Sequence, residues 1–130
     1  MAFLRFVVQE RNRESGFRYG FLRGAEVIRR RGSLSVHEDQ RLSEIFEWFN
    51  RRLAVPSKYS RTRNASHKVS RCLAWFKDSA SEHIALAREV ADLLRQHDLV
   101  VETILTERPG FIVYDDEFQV VAEPFSETPT

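Results

Sequence analysis

CLAWFKDSASEHIALAREVADLLRQHDLVVETIL, residues 72–105, holds three patterns in a row. Cys72-Leu-Ala-Trp-Phe76 is a short apolar run and predicts a buried strand. Ser79-Ala-Ser-Glu82 has the spacing of a capping box, in which a hydroxyl and a carboxylate satisfy the first free amides of a helix. Ile84, Ala87, Val90, Ala91 and Leu94 then fall on one helical stripe, predicting a helix from about 80 to 96. Leu99 to Leu105 is rich in β-branched residues and reads as a second strand. A strand, a helix and a strand in this order predict a right-handed crossover with parallel strands.

The flanks extend this unit. Upstream, Phe3 to Gln9 is an apolar run broken once, by Arg5, and reads as a strand. Residues 17–31 carry two signals. Phe17, Tyr19 and Phe21 alternate, whereas Phe21, Leu22, Ala25 and Ile28 are spaced for a helix, and Arg29-Arg30-Arg31-Gly32 suits a helix end. A helix from about 18 to 31 is expected. Ser35-Val-His-Glu38 is another capping box, and Leu42, Ile45, Phe46, Phe49 and Leu53 predict a helix from 36 to 53 that Pro56 stops. Residues 54–70 are polar, without a period, and read as a long loop. Downstream, Pro109-Gly110 is a turn, and Phe111–Tyr114 and Phe118–Val121 form a hairpin around Asp115-Asp116-Glu117. The expected fold is α+β, in the order β-α-α-β-α-β-β-β: a mixed sheet of about five strands with three helices mainly on one face. Residues 1–125 form one domain, and 126–130 a flexible tail.

Composition narrows the class. The 130 residues are 42% hydrophobic and 30% charged, with ten Phe, three Tyr and two Trp. These are values for a globular chain with much to bury, not a disordered one. No apolar run reaches the ~18 residues of a membrane span, and one cysteine builds no disulfide scaffold. The N-terminal apolar stretch is too short for a signal peptide, so a cytoplasmic location and a free Cys72 thiol are expected. Lys and Arg outnumber Asp and Glu by 16 to 7 over residues 1–71 and are outnumbered 4 to 12 over residues 72–130. This polarity predicts a cationic and an anionic face if the halves fold apart, and surface ion pairs if they mingle.

Several stretches, Ala74-Trp-Phe-Lys-Asp-Ser-Ala80, Arg108-Pro-Gly-Phe-Ile-Val-Tyr-Asp-Asp-Glu117 and Gln119-Val-Val-Ala-Glu-Pro-Phe125, together with Trp48-Phe-Asn50, resemble a group of small bacterial proteins usually labelled hypothetical. The resemblance implies a bacterial origin and a stand-alone domain, and it carries over no catalytic residue.

Five constellations bear on chemistry. Arg51, Arg52, Lys58, Arg61, Arg63, Lys68 and Arg71 fall in an acid-free segment with Tyr59 among them. Such a cluster binds phosphates through counterion release and stacks a base on its aromatic ring, or it is simply a solvated loop. Lys77, Ser79, Ser81 and His83 surround a helix start, where an anion would be held, though plain capping needs the same residues. Asp115, Asp116 and Glu117 could contribute to a Mg²⁺ site of a hydrolase, yet adjacent carboxylates on a turn diverge and Asp is favoured there in any case. Cys72 lies in a buried strand, and His37, His67, His83 and His97 are scattered, without zinc or nucleophile spacing. Trp48 lies off the main stripe of its helix and either widens the buried face or anchors a contact with another protein. With no recognised catalytic, metal or cofactor motif, the expectation is a binding or regulatory domain that works by protein contact, with no cofactor and no membrane partner. Nucleic-acid binding and metal-dependent hydrolysis are the alternatives.

Overall fold

Phe3–Arg11 forms β1, whose first six residues are all buried, so neither face of this strand meets solvent there. In the computed structural model, which describes residues 1–55 and 71–130, it is followed by β2 (Arg18–Gly20), α1 (Phe21–Arg31), α2 (Val36–Arg52), β3 (Leu73–Lys77), α3 (Ser81–Gln96), β4 (Val101–Thr106), β5 (Phe111–Asp115) and β6 (Gln119–Glu123). The expected order holds, with one short strand added. The two signals over 17–31 are both real and sit end to end. The alternating part becomes β2, and the helical spacing takes over at Phe21.

The sheet is antiparallel at every described pairing, which corrects the expected mixed sheet. The reason is the place of β1. It runs antiparallel to both β3 and β4 and lies between them. The strands at the ends of α3 are therefore parallel to each other, as a crossover demands, but a third strand from the N-terminus fills the space between them. β6 pairs β3 on its far side, and β5 closes that end.

The pleat divides the core. Leu4, Phe6 and Val8 face the three helices, where they meet Ala25 and Ile28 of α1, Leu42, Ile45 and Phe49 of α2, and Ala87, Val90 and Leu94 of α3. Phe3 and Val7 face the other way, with Trp75, Ile104 and Val120. Burying a side chain of this size contributes about 1.5–3 kcal/mol. Gly24 of α1 is the point of closest approach. A Cβ there would stand 2.7 Å from Leu94 Cδ1 and 2.8 Å from Val8 Cγ1, so the absence of a side chain lets α1 settle onto β1 and α3.

The helix starts differ. Ser35 and Glu38 form the reciprocal capping box expected of α2. The second box does not form: α3 starts after Ala80 with no side-chain cap, and Ser81 Oγ donates instead to the Ser79 carbonyl at 3.4 Å. The end of α3 is tied to the start of α2, because His97 Nε2 lies 3.1 Å from the Glu38 carboxylate and Nδ1 lies 3.2 Å from Ser33 Oγ.

Nor do the two charged halves face apart. Arg18 pairs with Glu102, Arg41 with Glu89 and Lys77 with Asp115, so the signs mingle. The first two pairs join the cation-rich half to the acid-rich half. Residues 126–130, expected to fray, make defined contacts. Thr128 is buried, its hydroxyl donates to the Arg108 carbonyl at 3.1 Å, and the Thr130 carbonyl accepts from Arg18 N at 3.0 Å.

Gly110 opens β5 at φ 133, and a Cβ there would fall 2.0 Å from the Glu123 carbonyl oxygen. Gly110→Ala is therefore expected to cost about 2 kcal/mol or more in a urea titration, since neither the dihedral nor the backbone contact can relax cheaply. Gly16→Ala, where φ is also positive but nothing lies within 4 Å, should cost clearly less.

Candidate functional site

Of the residues expected at the start of α3, three come together and one leaves. Ser79, Ser81 and His83 line a hollow of about 280 Å³ with Trp48, Arg52 and Phe118. Lys77 is elsewhere, because the pleat sends alternate residues of β3 to opposite faces. Its ammonium lies 2.6 Å from Asp115 with both side chains largely covered.

His83 is the centre of this hollow and only 3% exposed. Its ring stacks on Phe118 at 4.4 Å between centroids and meets the edge of Trp48 at 4.7 Å. Nε2 lies 3.2 Å from the Arg52 carbonyl. A carbonyl oxygen only accepts, so Nε2 carries the hydrogen there. Arg52 is the last residue of α2, where carbonyls lack partners within the helix. His83 supplies one and joins the end of α2 to the first turn of α3.

Trp48 is half-buried. It packs on Phe49 and His83, and the Arg52 guanidinium lies 5.0 Å from its ring. Arg51 is exposed and reaches toward Glu47 at 3.9 Å, and Arg71 is exposed too. Lys58, Tyr59, Arg61, Arg63 and Lys68 lie outside the described residues, so the basic segment is represented by Arg51, Arg52 and Arg71 alone.

At the hairpin, Asp116 accepts from the amides of Phe118 and Gln119 at 2.9 and 3.0 Å and from the Tyr114 hydroxyl at 2.9 Å. This is turn chemistry: the carboxylate replaces a carbonyl that the reversing chain does not present. Burial by itself would raise the Asp116 carboxyl, but those hydrogen bonds outweigh it and hold the group below its ordinary value of 3.8. The same contact pushes the Tyr114 hydroxyl up. Among the described residues no three carboxylate, His or Cys side chains gather as metal ligands would. Burial, and then the Glu123 charge, push the Cys72 thiol up, so the thiolate is disfavoured.

Two features escaped the sequence reading. One is the outer edge of β4. The Val101 carbonyl accepts from the Arg95 guanidinium at 2.8 Å, which turns it away from β1. Polar groups alternate along an antiparallel strand, so those of Thr103 and Leu105 also point outward. Among the described residues β4 pairs with β1 alone. Beside it, a hollow of about 380 Å³ is lined by Leu4, Ile84, Ala85 and Leu105, with Asp78, Ser81 and Arg88 as its polar wall. The other is Arg5, 7% exposed within the sheet. Its signal was present, as the one charge inside the apolar run of β1.

Compared with known proteins, the chain matches no family, no curated protein and no solved structure.

Asp116 yields a test in acid. A carboxyl held below its ordinary value adds stability that is complete above that value and is lost as the pH falls through the folded-state one. Wild-type stability, followed by urea denaturation, should therefore fall from about pH 5 downward. Asp116→Asn, which keeps an oxygen acceptor but no charge, should start lower at pH 7 and lose less across the same window.

Proposed function

We propose that this protein is a small bacterial, cytoplasmic binding or regulatory domain that acts by contact with another protein rather than by catalysis, and that its contact site is the outer edge of β4. The observation that supports this reading is that, among the described residues, no strand pairs with the outer edge of β4, where only the Val101 carbonyl is taken up, by Arg95. Natural sheets protect their edges with bulges, prolines, lysines or a covering loop, because an open row of N–H and C=O groups pairs with any extended chain. β5, at the other end, has a register shift between Ile112 and Tyr114 and starts beside Pro109 and Gly110. β4 pairs with β1 residue for residue from Val101 to Thr106, with no shift. Its residues include neither Pro nor Lys, and Leu105 is 63% exposed.

The partner this geometry suits is an extended protein segment that adds a strand to β4. Its backbone would pair with the outward groups of Thr103 and Leu105. An apolar side chain, repeated at every second position, would enter the hollow between β4 and α3. Backbone pairing supplies affinity and the hollow supplies selectivity, as in other strand-addition complexes. No helix among the described residues is long and apolar enough to cross a membrane.

Selection of displayed 12-residue random peptides on the wild-type protein tests this. Enriched peptides should alternate apolar residues, protect the Thr103 and Leu105 amides from hydrogen exchange, and bind Leu105→Lys at least about tenfold more weakly, a loss of ~1.4 kcal/mol. Peptides that bind that variant as well as wild type, or no enrichment at all, would overturn the reading.

A further inference from the structure

The pleat gives β4 two different sides. Val101, Thr103 and Leu105 pair with Val8, Phe6 and Leu4, which face the helices, so these three stand on the α3 side of the sheet. Glu102 and Ile104 pair with Val7 and Arg5 and stand on the other side. A strand added to the outer edge of β4 would likewise set alternate residues against α3. There they meet the hollow whose apolar walls are Leu4, Ile84, Ala85 and Leu105.

The polar wall of that hollow is unequal. Asp78 lies where β1 begins, and its carboxylate accepts from the Ala2 amide at 3.0 Å. The Ser81 hydroxyl donates to the Ser79 carbonyl. Arg88 is exposed, and among the described residues no side chain pairs with its guanidinium. The next cation along this flank of α3 is engaged: Arg95 holds Asp92 at 3.1 Å and the Val101 carbonyl at 2.8 Å. β4 offers Arg88 no acid, since Val101, Thr103 and Leu105 are uncharged and Glu102, on the far side, pairs with Arg18.

We infer that the segment accepted by β4 is acidic, with a carboxylate beside Arg88 two residues from the apolar side chain that enters the hollow. This rests on the β4 reading and adds the partner's chemistry to it. The spacing follows from geometry. One turn of α3 rises about 5.4 Å and two residues of a strand about 6.8 Å, so same-face neighbours on the added strand reach Ala85 and Arg88 in turn. The order follows from charge. Arg88 lies between Ala85, which shares the hollow with Leu105, and Arg95, which holds Val101, and so stands level with Thr103. An acid level with Leu105 would instead approach Asp78. The apolar alternation of the partner is therefore interrupted by Asp or Glu at the Thr103 level. A second copy of this chain, pairing through β4, would bring only uncharged side chains of that strand to this side and leave Arg88 unmet.

The peptide library of the β4 test, selected in parallel on wild type and on Arg88→Glu, decides this. Wild type should enrich Asp or Glu two positions from an apolar residue, and the variant should enrich Lys or Arg there instead. A peptide from the wild-type selection should bind Arg88→Gln about two- to fivefold more weakly, the range of an ion pair open to solvent. Should Arg88→Glu fail to fold, a selection on Arg88→Gln should lose the acid preference. Leu105-dependent peptides without that preference, or the same preference on a folded Arg88 variant, would overturn this inference and leave the β4 reading standing. No enrichment on wild type would overturn both.

Discussion

β1 has to be paired on both edges and covered on both faces, and most of the architecture follows from meeting that demand. A strand reading Phe-Leu-Arg-Phe-Val-Val has apolar side chains pointing both ways, so it cannot lie at an edge or on a surface. The chain inserts it between β3 and β4. Those two strands are joined through α3 and would otherwise be neighbours. Helices α1, α2 and α3 then cover one face, and Trp75, Ile104 and Val120 fill the other.

The same insertion creates the features that bear on function. Because β1 extends beyond β3, its remaining length is taken by β2, and the two partners diverge at Arg5 and Phe6. A sheet without that fork would have no place for a guanidinium among its strands. Because β1 is the only strand that pairs with β4 among the described residues, the other side of β4 carries no strand there. The helices settle the rest. His83 joins the last turn of α2 to the first turn of α3 through one carbonyl and an aromatic stack, so the hollow around Ser79 and Ser81 has a wall built of core side chains.

Much of the candidate chemistry was visible only as residue types. Ser79 and Glu82 have the spacing of a cap, but the chain enters α3 through Ala80 with φ −79 and ψ 64, and Ser79 does not cap it. Asp115 and Asp116 are adjacent in sequence and serve different partners, Lys77 across the sheet and the amides of their own turn. Trp48 lies off the apolar stripe of α2, and its half-buried position depends on His83 lying beneath it. Nothing local distinguishes an edge strand from an inner one, so the open side of β4 had no sequence signature beyond its lack of Pro and Lys.

Periodicity determined what depends on neighbours a few residues away: the helices around 36–52 and 81–96, the capping box at Ser35, the hairpin at 111–123 and the α+β order. These rest on contacts between residues close in the chain, which repeat with the period of the element. The tertiary structure alone decided which strand lies between β3 and β4, that the described pairings are all antiparallel, that Arg5 is buried within the sheet, and that the two charged halves mingle. Each of those depends on pairing between residues tens of positions apart. Such pairing is set by how the whole chain covers β1, and it leaves no period to read in a one-dimensional string.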